Sequence, residues 1–160
     1  MVLLVMGILC MVGMPRLQSA LTQIRLDAAA QELFSSLTYA QNLAVRYQRP
    51  FGVRADTGGN WYRVFDNRYK SDSSPHHGDD PPAGAYGVVL NPVDKKWYQR
   101  DFDEMEEYQG VRIQSVPAGS EVCFHPDGHS SSADSSFALV CGGEQRTISV
   151  TGTTGAIQIQ

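Results

Sequence analysis

The chain begins with an uninterrupted apolar run, residues 1–14, in which no side chain carries a charge. Apart from Gly7, Gly13 and Cys10, this run consists of large aliphatic and methionine side chains. An α-helix rises about 1.5 Å per residue, so the run reaches only about 21 Å. A helix that crosses the hydrocarbon core of a membrane needs roughly 20 apolar residues for about 30 Å. The run is therefore too short to span a membrane by itself.

Three interpretations of this segment stay open. It can be the second part of a membrane helix whose first part precedes Met1, which is the interpretation that we favour. It can be the apolar region of a secretory signal peptide, which covers about 7–15 residues. No basic segment precedes the run, however, and Pro15-Arg16-Leu17 is a poor cleavage site. It can also be a buried core helix, which apolar runs of this length often form.

The helical pattern continues from the apolar run into an amphipathic segment, residues 15–49. This segment is rich in Ala, Leu and Gln, which are good helix formers. Pro50 ends it, because the proline ring removes an N–H donor and disfavours helix at Arg49. We predict one helix over about residues 1–48, bent near Pro15. The predicted apolar stripe, at steps of four and three, consists of Leu26, Ala30, Leu33, Leu37, Ala40, Ala44 and Tyr47, with Leu17, Leu21, Ile24 and Ala28 as the preceding part of a similar stripe.

Short β-rich runs alternate with Gly- and Asp-containing turns in the remaining segment, residues 50–160. This spacing predicts an antiparallel sandwich or meander, with one sheet face packed on the apolar stripe of the helix. The expected fold class is α+β. Residues 71–85 hold three prolines and no apolar periodicity, which predicts a long exposed loop. The predicted strands cover residues 51–55, 61–67, 87–90, 96–102, 111–116, 121–125, 137–141, 146–151 and 156–160.

The composition is that of one domain with a modest core, since 42% of the 160 residues are hydrophobic. The formal net charge is −4. Acidic and basic residues are interspersed, so no global field indicates a nucleic-acid partner.

Two of the three cysteines, Cys123 and Cys141, fall in predicted strands that could pair as a hairpin around residues 126–136. If the two side chains face each other, a disulfide is geometrically reasonable, and it would persist outside the cytoplasm. The alternative is a pair of reduced, buried thiols that act as small apolar side chains. Cys10 belongs to the apolar run. Nothing in the sequence marks a base beside any of the three, so we predict no catalytic thiol.

Two clusters contain side chains of the types that bind metal ions. His76-His77 with Asp79-Asp80 lacks a third fixed ligand nearby, and adjacent histidines in a loop seldom satisfy tetrahedral geometry. The acidic side chains of residues 101–107 lack the spacing of a known calcium loop, which favours a solvated acidic surface. We therefore predict no metal site.

The remaining polar residues give no active-site pattern. His125 and His129 flank the turn at Pro126 and are expected to act as polar groups of that turn. The sequence has no nucleophile elbow, phosphate loop or HExxH motif. We predict that the protein is not an enzyme and uses no cofactor.

Four stretches together resemble one family, the GspH/FimT-like minor pseudopilins and pilins of type II secretion systems and type IV pili. Residues 2–15 resemble the second part of the pilin N-terminal helix. Residues 28–44 with Arg49-Pro50 resemble the helix that ends before the first strand. Residues 121–128 resemble a strand that ends in Phe-x-Pro-x-Gly, and residues 146–157 resemble the closing hairpin around a Thr-Gly. The order and spacing of these stretches carry the resemblance.

The resemblance implies a type IV pilin-like fold, in which a long N-terminal helix packs on an antiparallel sheet. Family precursors begin with a basic leader and a Gly-Phe-Thr-Leu-x-Glu type sequence, which residues 1–14 lack. We expect that stretch, with the prepilin peptidase site, upstream of Met1. Anchoring in the membrane and packing in the filament core are expected from Val2, Leu3, Leu4, Val5, Ile8, Leu9, Val12 and Pro15.

The function implied by the resemblance is structural. The protein is expected to be a minor pseudopilin of a type II secretion system that helps initiate or cap the periplasmic pseudopilus. The expected location is the inner membrane, with a single span and the globular domain in the periplasm. The expected partners are other pseudopilins or pilins, the inner-membrane assembly platform and, for the full-length precursor, the prepilin peptidase.

The alternative function is that of a FimT/FimU-like minor pilin of a type IV pilus that takes part in DNA uptake. Non-specific DNA binding depends on neutralising phosphates with Lys and Arg. Residues 151–160 contain neither, and Arg146 stands alone before them. Nucleic acid is therefore not expected as a partner.

Overall fold

The computed structural model describes residues 2–69 and 87–160 of the chain, with side chains from residue 19 onward. The predicted loop at residues 71–85 lies outside the described residues. The histidine and aspartate cluster at residues 76–80 and the side chains of residues 2–18 lie outside them as well.

The first element is one long helix, α1, at Val2–Tyr47. It runs through Pro15 and ends one residue before the predicted boundary, and the bend at Pro15 stays a prediction. Gln48, directly after the helix, has a left-handed φ of 52°, and Pro50 cannot continue the helix because it has no N–H. In the part of the chain that the structure describes, no helix is long and apolar enough to cross a membrane.

Eight strands follow α1 and form two four-stranded antiparallel sheets. Sheet 1 has the order β3-β2-β1-β5 and sheet 2 has the order β4-β6-β7-β8. The strands are β1 Phe51–Asp56, β2 Trp61–Asp66, β3 Gln99–Asp101, β4 Arg112–Ser115, β5 Glu121–Phe124, β6 Ser135–Cys141, β7 Glu144–Val150 and β8 Ile157–Ile159.

Two of the predicted strands differ from the structure. The predicted strand at residues 87–90 makes only isolated bridges, from Val88 to Phe65 and from Leu90 to Trp97. The predicted strand at residues 96–102 shortens to β3. The edge of sheet 1 is therefore irregular, with the left-handed Gly87 and Lys95 in this segment.

The core lies between α1 and both sheets. The buried positions of α1 recur at helical spacing and contact strands of sheet 1 and sheet 2. Four of them are alanines, which let the strands approach the helix axis closely. We call this set the inner stripe; its members are Leu26, Ala29, Ala30, Leu33, Ser36, Leu37, Ala40, Leu43 and Ala44.

The predicted stripe was wrong at both ends. Tyr47 is 52% exposed and lies past the core. Leu21, Ile24 and Ala28 are exposed as well, because they face away from the inner stripe. The step from residue 24 to residue 26 turns the helix by about 200°, and the sequence pattern alone did not show that phase.

A buried hydroxyl cluster fixes the helix against sheet 1. Ser36 Oγ lies 3.1 Å from the Tyr62 hydroxyl and 3.0 Å from the Tyr98 hydroxyl. It is also 2.9 Å from the carbonyl oxygen of Glu32. A serine has one proton to donate, so when the carbonyl accepts it both tyrosine hydroxyls donate to Ser36. The polar atoms at this point of the core thus satisfy one another.

The end of α1 is held by an ion pair. Arg49 Nη2 lies 2.8 Å from Oδ2 of the buried Asp66, the last residue of β2. The Arg49 guanidinium also lies over the Phe51 ring, 5.2 Å from its centroid. The Asn67 N–H donates to the Pro50 carbonyl at 3.1 Å. These contacts give the Arg-Pro motif a structural role, which is to join the helix end to the first hairpin.

Asn60 joins the β1–β2 turn to the segment that leads into sheet 2. It is 2% exposed and has a left-handed φ of 53°, a conformation that asparagine tolerates better than most residues. Its Nδ2 donates to Asp103 Oδ1 at 2.8 Å and to the Val111 carbonyl at 2.9 Å. Its Oδ1 accepts from the Ile113 N–H at 2.9 Å. Both N–H groups and the oxygen of the amide therefore have hydrogen-bond partners.

The predicted cysteine hairpin is wrong. Cys123 lies in β5 of sheet 1, and Cys141 lies in β6 of sheet 2, so the two strands do not pair. Cys141 is a free thiol, and the predicted disulfide is not formed in this structure. The chain passes from sheet 1 to sheet 2 within residues 126–136. The short distance in sequence between β5 and β6 did not show this crossover.

The role of Asn60 gives the first prediction. We expect Asn60→Ala to lower the free energy of unfolding by about 2–4 kcal/mol, since three hydrogen bonds are lost and two buried partners stay unsatisfied. Urea unfolding measures this. Asn60→Gly is the matched variant, because glycine relieves the left-handed backbone but restores no hydrogen bond. Equal free energies of unfolding for wild type and Asn60→Ala would show that the hydrogen bonds of Asn60 do not stabilise the fold.

Alkaline pH gives the second prediction. Burial raises the pKa of Tyr62 well above its usual 10.0, and burial also raises the pKa of Tyr98. The folded state therefore keeps these protons while the unfolded state loses them. The contribution of these protonated tyrosines to the free energy of unfolding is fully present below about pH 10. As the pH rises further, the free energy of unfolding falls by up to about 1.4 kcal/mol per pH unit for each such tyrosine.

Urea midpoints between about pH 9 and about pH 11 measure this loss. The slope is expected to be smaller in Tyr62→Phe. Tyr47→Phe, which changes an exposed ring, is the control. Identical slopes in wild type and both variants would show that buried tyrosines do not set the alkaline limit.

Candidate assembly surface

The outward side of α1 carries an exposed apolar surface. Ile24 is 64% exposed and Leu21 is 48% exposed. With Ala28 they recur at steps of three and four, which places them on one helix face. This face lies about 140–160° around the helix from Leu26 of the inner stripe. We call Leu21, Ile24 and Ala28 the outward face.

The outward face does not continue along α1 beyond Ala28. Further along the helix, the positions on the same side are Gln31, Ser35 and Asn42, which are polar and exposed. The apolar character of this side therefore ends after Ala28. The side of a surface helix that faces away from the core is usually polar, so a contiguous apolar patch at Leu21, Ile24 and Ala28 is a candidate contact surface.

Two polar contacts set the rotation of the helix at this point. Arg146 Nε on β7 lies 2.7 Å from Asp27 Oδ1. Arg25 Nη1 donates to the Gln109 carbonyl at 3.4 Å. Residues 25 and 27 lie about 100° to either side of Leu26. Together they hold Leu26 inward, so Ile24 and Ala28 point away from the sheets.

Gln41 ties the helix to both sheets. Its Nε2 donates to the Gly128 carbonyl at 2.7 Å and to the Gly155 carbonyl at 3.0 Å. Gly128 follows β5 of sheet 1, and Gly155 lies between β7 and β8 of sheet 2. A Cβ at Gly155, where φ is 65°, would overlap the Gly128 carbonyl oxygen. Gln41 is not a member of the apolar stripe predicted from the sequence, so the sequence analysis missed this role.

The two histidines lie beside that turn, where the sequence places them. The His125 and His129 rings stack with centroids 4.6 Å apart, and His129 is paired with Asp127. The His125 N–H donates to the His129 carbonyl at 2.9 Å. The two residues thus belong to the hydrogen-bonded turn.

The acidic segment, residues 101–107, is partly engaged in local structure. Asp101 Oδ1 accepts from the Asp103 N–H at 2.9 Å, and Asp103 accepts from Asn60. Glu104 and Glu106 line an open cleft of about 410 Å³ with Arg25. Across residues 19–69 and 87–160, no three His, Cys, Asp or Glu side chains are grouped to hold a metal ion.

The residues predicted from the sequence to form the filament core belong to α1, but their side chains lie outside the part of the chain that the structure describes. They are Val2, Leu3, Leu4, Val5, Ile8, Leu9, Val12 and Pro15. The outward face continues their helix toward the globular body. The sequence pattern put Leu21, Ile24 and Ala28 in an apolar stripe, but it did not show that this stripe faces away from the sheets.

Comparison with known proteins gives the family. A model of the type II transport protein GspH matches residues 29–154, from the inner stripe of α1 to the β7–β8 turn. This chain belongs to the GspH family. No curated protein sequence matches it.

Two solved structures show the same fold as this GspH-family chain. The minor pseudopilin EpsH from the type 2 secretion system of Vibrio cholerae aligns with a TM-score of 0.57 and 14% identity, over 85% of this chain and 96% of that one. The type IV minor pilin FimU of Pseudomonas aeruginosa aligns with a TM-score of 0.54 and 20% identity, over 84% and 87%. The predicted α+β, type IV pilin-like fold is confirmed.

The Gln41 contacts give the third prediction. We expect Gln41→Ala to lower the free energy of unfolding by about 1–3 kcal/mol, since two carbonyl groups lose a shared donor. Gln31→Ala, on the exposed side of the same helix, is the matched control and is expected to change stability by less than about 0.5 kcal/mol. Thermal and urea unfolding measure both. An equal effect of the two substitutions would exclude the bridging role.

Proposed function

We propose that this protein is a minor pseudopilin of a type II secretion system that helps initiate or cap the periplasmic pseudopilus. The observation that carries the proposal is the match to the GspH family over residues 29–154, together with a helix that has two apolar faces. One face builds the core of the subunit. The other is open to solvent and suits a neighbouring helix.

The outward face supports assembly through the hydrophobic effect. Burying apolar surface is favourable by about 25 cal/mol per Å², and Leu21 and Ile24 are exposed in the single subunit. Packing them on the helix of another pseudopilin removes them from water. The polar positions beyond Ala28 would limit this contact to the part of the helix before Gln31.

The N-terminal residues extend the same role. We propose that residues 2–14 form part of the single membrane helix that anchors the subunit in the inner membrane, and that the body lies in the periplasm. The assembly platform would extract the subunit, and the same residues would then pack into the filament core. The prepilin peptidase would act on the full-length precursor.

A type IV pilus role is the alternative. The likeness to FimU fits a minor pilin and does not favour one, because EpsH shares the same fold. Arg146, the lone cation before the closing segment, is paired with Asp27. Residues 151–160 have no Lys or Arg. DNA binding therefore finds no support at this end of the chain.

Complementation of a deletion strain of the native host is the fourth prediction. We expect deletion of the gene to abolish release of type II substrates into the medium, and the wild-type gene to restore it. Ile24→Gln is expected to restore little release although the folded body keeps its stability within about 0.5 kcal/mol, since the residue is exposed in the single subunit.

Val45→Gln is the matched control. Val45 is another exposed aliphatic residue of α1 and lies about 100° from Leu26, off the outward face. It is expected to restore release. Normal release by the deletion strain, combined with loss of surface pili, would overturn the secretion role in favour of the pilus role.

A further inference from the structure

The face of sheet 1 that points away from α1 carries two arginines directly opposite each other. Arg54 of β1 is paired in register with Arg63 of β2. Side chains alternate along a strand, and Val53 and Tyr62 belong to the core, so both arginines lie on the other face. Like charges directly opposite each other on neighbouring strands are destabilising.

Arg63 is held in place although it is largely buried. It is 8% exposed, and its guanidinium carbon lies 4.7 Å from the centroid of the Trp61 ring. Burial lowers the pKa of Arg63, and the neighbouring Arg54 lowers it further. The ring attracts the cation, which partly offsets the loss of water. The Arg63 guanidinium is thus largely buried beside a second positive charge, which is unfavourable, and the Trp61 ring orients it.

The described part of the chain places no carboxylate within 4.0 Å of either guanidinium. The cross-strand row that holds the pair runs Glu121, Arg54, Arg63 and Gln99 over the four strands of sheet 1. Glu121 can neutralise at most one of the two arginines. Sites that break a local rule of this kind are expected where function requires them.

We propose that Arg54 and Arg63 together bind a carboxylate side chain of a neighbouring protein subunit. That this neighbouring subunit is a pseudopilin rests on the function proposed above. Guanidinium groups bind carboxylates with paired, charge-assisted N–H···O bonds. Arg63 is already oriented on Trp61, so less side-chain freedom is lost on binding.

The surrounding charges favour a single carboxylate over a nucleic acid. The next cross-strand row consists of Asp56, Trp61 and Asp101. An extended polyphosphate that crossed the arginine pair would meet these two aspartates and be repelled. A single carboxylate does not extend along the strands to this row, so the charges favour it over a polyphosphate.

The fifth prediction tests this site with the full chain in detergent micelles. NMR resonances of the Trp61 indole and of the arginine Nε–H groups are followed while acetyl-Gly-Glu-Gly-amide is added to millimolar concentration. We expect a saturable shift of Trp61, Arg54 and Arg63. Affinity is expected to fall tenfold or more in Arg54→Gln and in Arg63→Lys, and to be unchanged in Arg112→Gln, an exposed arginine of sheet 2.

A stability measurement separates binding from a structural role. Arg54→Gln removes the like-charge contact, so its melting temperature is expected to equal or exceed that of the wild type. A lower melting temperature would mean that Arg54 stabilises the fold, and this would overturn the proposal. Arg54 is exposed, so this variant does not depend on how the fold tolerates a change at Arg63.

Three further outcomes would overturn the proposal: no saturable shift with the peptide, unchanged affinity in Arg54→Gln and Arg63→Lys, or shifts at these residues with inorganic phosphate or oligothymidylate alone. The proposed function fails separately. If the deletion strain secretes normally while the peptide binds, the site stands and its partner is not a pseudopilin. If secretion is lost while the peptide does not bind, only the carboxylate site fails.

Discussion

The burial of the inner stripe of α1 against two sheets is the contact on which the rest of the structure depends. Sheet 1 and sheet 2 do not share a strand, and the helix packs on both of them. Without the helix, the apolar faces of both sheets would lie open to water, which is costly. The alanines of the stripe keep the strands close, so the helix acts as the central element of the domain.

Polar contacts then fix which way the helix faces. Ser36 meets two tyrosine hydroxyls of sheet 1, and Gln41 bridges the turns of both sheets. Arg146 holds Asp27 near the start of the body. Because these contacts set the rotation, the apolar residues at 21, 24 and 28 have to face solvent. The same helix therefore stabilises the subunit on one side and presents on the other the apolar face that we propose for assembly.

The sequence predicted the local features well. The extent of α1 followed from helix formers and Pro50, and most strands followed from β-rich runs between turns. It misjudged the features that depend on distant contacts. The phase of Ile24 relative to Leu26 and the separate sheets of Cys123 and Cys141 are set by tertiary packing, and periodicity along the chain does not report that. Gln41 and Asn60 are polar residues whose partners lie far away in sequence, so no local pattern could mark them. The arginine pair depends on the β1–β2 register.

Site-specific photocrosslinking in secreting cells tests the central claim, that the outward face of α1 contacts a neighbouring subunit, most directly. A photoreactive amino acid is placed at position 24 in one strain and at position 45 in another. The account predicts a crosslinked product with another pseudopilin from position 24 and none from position 45. Equal products from both positions, or none from position 24 while secretion continues, would contradict it.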